Sequence, residues 1–166
     1  MIADPLPRGR SLGAFFLRLE PGLWNDVTAS GLLVVDDEER ARREWECFAL
    51  YACVRGLVAA GGFGPENMQA VDAMHDAVAE AWDESGGPGT SATRRTHAAK
   101  RYDEYGDLVR NSSGADPETV IARLGAAAAR NVSGTDIANA ELGVMLGELH
   151  EAIVQGAAES VREAEA

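Results

Sequence analysis

The side chains best able to do chemistry in this chain are three histidines, two cysteines and one isolated arginine. The histidines are His75, His97 and His150. Carboxylate-bridged metal sites in helical bundles need two Glu-x-x-His pairs, because residues i and i+3 then aim at one centre. Here the residues three before each histidine are Asp72, Arg94 and Gly147, so only Asp72-Ala73-Met74-His75 approaches the pattern. A dinuclear site is therefore not written in the sequence. A mononuclear site from His75, His150 and Glu46 is the remaining geometric option. The plainer reading places these histidines half-buried at the edges of apolar stripes, satisfied by neighbouring acids.

Arg55 stands alone in an otherwise apolar run from Cys47 to Phe63. An unpaired buried charge is strongly unfavourable. Arg55 is therefore expected to meet a carboxylate from another helix, to bind an anionic ligand, or to extend outward along its stem. Glu44, Tyr51 and Arg55 recur near helical-turn spacing and can share one polar stripe. A ligand pocket built here would draw on Arg55, Tyr51, Tyr102, Tyr105, His75 and His150.

Arg94, Arg95, His97, Lys100 and Arg101 form the one concentrated basic cluster, just after a Gly-Pro-Gly-Thr-Ser segment. A glycine-rich loop feeding a helix start can hold an anion, which makes Arg94, Arg95 and Arg101 candidate anion ligands. No phosphate-loop or dinucleotide fingerprint accompanies them. The alternative is that this ridge pairs with the acidic stripe Asp72, Asp76, Glu80 and Asp83 of the preceding helix. Antiparallel neighbours joined by a short loop lie side by side, so the pairing reading is preferred. No nucleophile motif, H-E-x-x-H or cofactor fingerprint is present.

Cys47 and Cys53 lie six residues apart on one helix, about 9 Å along its axis. That exceeds the ~7 Å limit for a disulfide. Reduced thiols, and a start without a continuous apolar h-region, point to a cytoplasmic setting. The Cys47–Phe63 run is too short for a membrane span, and Arg55 at its centre would cost about 2.5–3.5 kcal/mol on insertion.

These side chains need elements to position them, and the composition favours helices. The 166 residues carry a net charge of −12, 46% hydrophobic and 6% aromatic residues. That size suits one domain, and the acidity argues against a nucleic-acid binder with a basic face. Residues 1–35 read as an irregular N-terminal arm with one or two short elements: Leu12–Leu19 is ambiguous, Pro21-Gly22 breaks it, and Leu32–Val35 is β-prone. Residues 36–166 read as the bundle domain. Its helices are expected from Asp36 or Asp37 to Ala60, from Pro65 to the Gly86-Gly87-Pro88-Gly89 linker, from Ser91 to Arg110, from Pro117 to Arg130, and from Thr135 or Asp136 to Arg162. The first of these is apolar nearly all round and belongs at the centre of a bundle or a subunit interface. Gly143, Gly147 and Gly156 on the last suggest close helix approach.

The expected fold is thus all-α, a bundle of about five helices. The expected function is a small interaction or regulatory protein, a homo-oligomer without catalysis. The alternatives are a small-molecule- or metal-binding bundle around Arg55 and the histidines, and an acidic inhibitor of a basic target.

Overall fold

The computed structural model describes residues 4–86 and 90–165. The expected linker Gly87-Pro88-Gly89 lies outside the described residues. Six helices make up the fold: α1 (Pro5–Ala29), α2 (Glu38–Gly61), α3 (Pro65–Ser85), α4 (Ser91–Asn111), α5 (Pro117–Ser133) and α6 (Ala140–Ala164). No strand occurs among the described residues. Short polar side chains open five of them, with Asp4 accepting from the Leu6 N–H at 3.0 Å at the start of α1. Asp37 accepts from the Arg40 N–H at 3.1 Å, Thr90 from Thr93 at 3.1 Å, Asp116 from Thr119 at 2.8 Å and Asn139 from Glu141 at 2.8 Å. Each satisfies a backbone donor that the first turn leaves free.

The N-terminal segment departs from expectation. It is a single 25-residue helix, not an irregular arm, and the bundle has six helices instead of five. Pro21 sits inside α1, where its ring and missing donor disfavour helix. The reason α1 continues is its buried face. Leu12, Phe16, Glu20, Trp24 and Val27 follow one another at spacings of four, four, four and three on both sides of Pro21, which is itself exposed. Burial of that continuous stripe outweighs the local break, as tertiary packing routinely overrides propensity. Gly9 permits the tightest approach on this face: a Cβ there would collide with the Ala70 carbonyl oxygen and stand 2.6 Å from the Ala73 Cβ on α3. Leu32–Val35 forms no strand but an extended connector, with Leu32, Leu33 and Val35 packed against the core.

Helix–helix contacts define the architecture. α2 touches all five other helices, and those five close a ring around it in the order α1, α3, α4, α5, α6 and back to α1. The centre of α2 is consequently buried on every side, with ten consecutive buried residues from Glu44 to Cys53. This is why its sequence is apolar nearly all round. Its own chain covers it, and a second subunit is not needed for that purpose. α6 begins later than expected, after Asn139, because residues 134–139 form a turn: Thr135 Oγ1 accepts from the Ile137 N–H at 3.0 Å and donates to the Ile137 carbonyl at 2.7 Å. No helix among the described residues is long and apolar enough to cross a membrane.

Because α1 closes the ring, its apolar residues are core residues. Phe16, 2% exposed, should lose about 3–5 kcal/mol of stability on change to alanine. Urea denaturation checks this. A loss below about 0.5 kcal/mol, the usual range for surface substitutions, would mean that α1 is an appendage.

Candidate functional site

The aromatic and histidine residues singled out in the sequence do come together. Tyr51 of α2 lies 5.8 Å from Tyr102 and 5.5 Å from Tyr105 of α4, and 5.8 Å from His150 of α6, between ring centroids. His75 of α3 stands 5.5 Å from Tyr102, and its Nε2 is 3.1 Å from the Tyr102 hydroxyl. Phe48 fills the middle, stacked at 4.4 Å on His150 and 5.2 Å from Tyr105. Tyr105 in turn accepts from Asn131 Nδ2 at 3.1 Å. The rings pack on one another as core, and none of the larger clefts is lined by Tyr51, Tyr102, Tyr105, His75, His150 or Arg55.

Burial determines the charge state of this cluster. It pushes His75 down to about 4, with the Arg95 charge adding to the effect. It pushes His150 down to about 3, with Arg55 adding to it and the Phe48 carbonyl offsetting only part. Neither ring nitrogen of His150 makes a hydrogen bond of good geometry, and Arg55 Nη1 is likewise buried without a partner. Arg55 is half-buried at the edge of the cluster, near Tyr51. Of the three outcomes expected for Arg55, the carboxylate partner is not taken: among the described residues it forms no ion pair. Glu46 is elsewhere, held by arginines, so the set His75, His150 and Glu46 is not assembled. No group of three or more His, Cys, Asp or Glu side chains among the described residues is placed to hold a metal ion.

The basic ridge of α4 is engaged in ion pairs. Arg95 reaches Asp76 at 2.9 Å and Asp72 at 3.4 Å on α3, the acidic stripe of the preceding helix. Arg101 grips Glu44 through Nε at 2.7 Å and Nη2 at 2.9 Å, and also meets Glu104 at 2.6 Å. His97 Nε2 lies 2.8 Å from the same Glu44. Arg94 reaches Glu46 at 3.1 Å, with its guanidinium carbon 4.1 Å from the centre of the Trp82 ring. Arg42 binds Glu20 of α1 through two nitrogens, at 3.1 and 2.9 Å, and stands 3.8 Å from Glu46. The acceptors Glu44 and Glu46 on the buried α2 were not foreseen as partners of this ridge. The two behave oppositely. Burial would raise Glu44, but Arg101 and His97 outweigh it and hold the carboxyl below its ordinary value. For Glu46 burial outweighs its arginines and Glu20 adds to it, so it is pushed up to about 7 despite Arg94.

A wider opening lies between other helices. A groove of about 820 Å³ runs between α5, α6 and the 134–139 turn. Ile121, Ala122, Ala126, Val144 and Gly147 give it an apolar surface, while Glu118, Arg130, Asp136 and Glu148 also line it. Ile137 is 89% exposed and Val144 62% exposed. Its origin is the small-residue pattern already visible in the sequence: Gly125 of α5 rests directly on the Gly143 carbonyl and the Gly147 backbone of α6. Ile137 gave no signal in the sequence, because a helix was expected through it. No known family model, curated protein or solved structure matches the chain.

Two predictions follow from this geometry. The unfolded chain protonates histidine near pH 6.5, whereas the fold protonates His75 near 4 and His150 near 3. Their contribution to stability is therefore present above pH 6.5 and lost as the pH falls from 6.5 towards 4. Glu46 acts in the opposite sense: its folded carboxyl keeps a proton up to about pH 7, so its contribution is present below the ordinary 4.5 and lost as pH rises through 7. Two imidazoles outweigh one carboxyl, so stability should rise by ~1 kcal/mol per pH unit between about 5 and 6.5. Thermal denaturation across that range checks it. His150→Leu should flatten the slope without lowering the melting temperature at pH 7.5, since it removes two unsatisfied polar atoms. Separately, Gly125→Ala forces a methyl into backbone and should cost about 1–3 kcal/mol or more in chemical denaturation. An unchanged midpoint would show that α5 and α6 do not touch there.

Proposed function

We propose that the protein is a helical interaction module that self-associates through the α5–α6 groove. The observation that carries this reading is the groove itself, an apolar concavity with Ile137 and Val144 exposed beside it. Large solvated apolar side chains clustered at a concavity mark association surfaces. The partner in this reading is a second copy of the chain, met through the apolar part of the groove. Most of the surface of a molecule with a net charge of −12 repels another copy. The groove carries one cation, Arg130, beside Glu118, Asp136 and Glu148. In a two-fold contact each patch faces itself, so Arg130 of one protomer can meet an acid of its partner.

The test is the mass of the protein in solution. Sedimentation velocity from 1 to 200 µM should show a dimer that dissociates on dilution. Val144→Asp and Ile137→Asp should shift it to monomer while leaving the melting temperature within about 2 °C, since both side chains are exposed in the single chain. A wild-type monomer throughout that range, or a dimer indifferent to both substitutions, would overturn the reading.

A further inference from the structure

A second, smaller cleft of about 230 Å³ opens between α2, α3 and α4, away from the groove. Its lining includes Arg40, Arg43, Glu46, Trp82 and Arg94. The charges there do not balance. Glu44, also in the lining, is already taken by Arg101 and His97. Arg40 donates to the carbonyls of Asn131 and Val132 at 2.9 and 2.8 Å, and so caps α5 without neutralising its own charge. Arg43 meets the exposed Glu39 at the outer limit of an ion pair, 4.0 Å. Arg94 shares Glu46. Guanidinium charge thus exceeds free carboxylate charge in a cleft of a strongly acidic protein.

Two of these arginines also carry an unmet donor. The Nε–H groups of Arg43 and Arg94 are both buried without a hydrogen-bond partner. A buried charged donor left unmet is unfavourable, and a turn of either guanidinium towards an acceptor in the cleft relieves it. The planar fork of an arginine matches a carboxylate through two parallel bonds. Trp82 already fixes the plane of the Arg94 guanidinium, so part of that geometry is set in advance. The volume lies below the ~300–1,000 Å³ of sites for drug-sized ligands, which selects a small molecule.

We propose that this cleft is a binding site for a small organic carboxylate, held by the guanidinium groups of Arg43 and Arg94. Glu46 is the internal competitor, since it occupies Arg94 when the cleft is empty. A ligand that takes Arg94 leaves Glu46 facing Glu20 of α1 and Arg42 and Arg43 of α2, with the uncharged Trp82 brought by α3. Burial already holds Glu46 near pH 7, so it then takes up a proton from solvent. Binding is consequently tighter at pH 6 than at pH 8.

Benzoate is a suitable probe, titrated into the full-length protein and followed by the indole N–H signal of Trp82, which Trp82→Phe identifies. The expected result is a saturable shift with several-fold higher affinity at pH 6. Arg43→Gln should weaken it about tenfold or more, the scale of one lost charge-assisted bond. That side chain is 37% exposed, so the variant retains the fold and its circular dichroism spectrum verifies this. Glu46→Gln should bind equally at both pH values. No saturable shift, wild-type affinity in both Arg43→Gln and Arg94→Gln, or a pH dependence that survives Glu46→Gln would each overturn the proposal. Equal competition by inorganic phosphate would overturn the carboxylate assignment.

Discussion

Two carboxylates on a stretch of helix with no side facing water are the constraint around which this molecule is organised. Glu44 and Glu46 lie within the fully buried stretch of α2. Unpaired, either would be intolerable there. Their cations come from outside: Arg101, His97 and Arg94 from α4, while Arg42 on α2 itself is shared with Glu20 of α1. Each pair pins a neighbouring helix at one height along α2. Such pairs add little net stability over apolar residues of the same shape, but separating the partners is strongly unfavourable. They therefore act against slippage of α1 and α4, while the apolar residues of the same helix supply the driving force. The two roles alternate along one helix, since Trp45 and Phe48 flank the acids.

Much of the fold was legible because the signals are local. Asp37, Pro65 and the Asp116-Pro117 pair start α2, α3 and α5 where a cap or first-turn proline says they should. The charge-poor stretch from Trp45 onward announced a central helix. The failures share a cause. The ambiguity of Leu12–Leu19 and the break at Pro21-Gly22 are correct local readings, overruled by contacts with α3 and α6 that periodicity cannot see. Glu20 is a charged residue within the apolar α1 stripe, and it becomes a core residue only because Arg42 lies opposite.

The sites divided in the same way. The types and spacing of Tyr51, Tyr102, Tyr105, His75 and His150 were enough to place them together, but not to say whether they would enclose a space or fill it. Phe48 decides that, and its position between two rings depends on how three helices meet. The preferred pairing of Arg95 with the acidic stripe was readable from the short connection between α3 and α4. The partners of Arg94 and Arg101 were not, because they lie some fifty residues earlier, beyond the reach of local spacing.

The closure of the ring between α1 and α6 has a topological consequence. Arg8 pairs with Glu165, and the Ser11 and Ser160 hydroxyls lie 3.5 Å apart. The two extremes of the described chain are thereby neighbours in space, although they are separated by its whole length. Connectivity is then nearly cyclic, and the order in which the helices are written becomes partly arbitrary. A circular permutant that splices residue 165 to residue 4 through a short bridge, and opens the chain in the 113–116 turn, would preserve every interhelical contact described above.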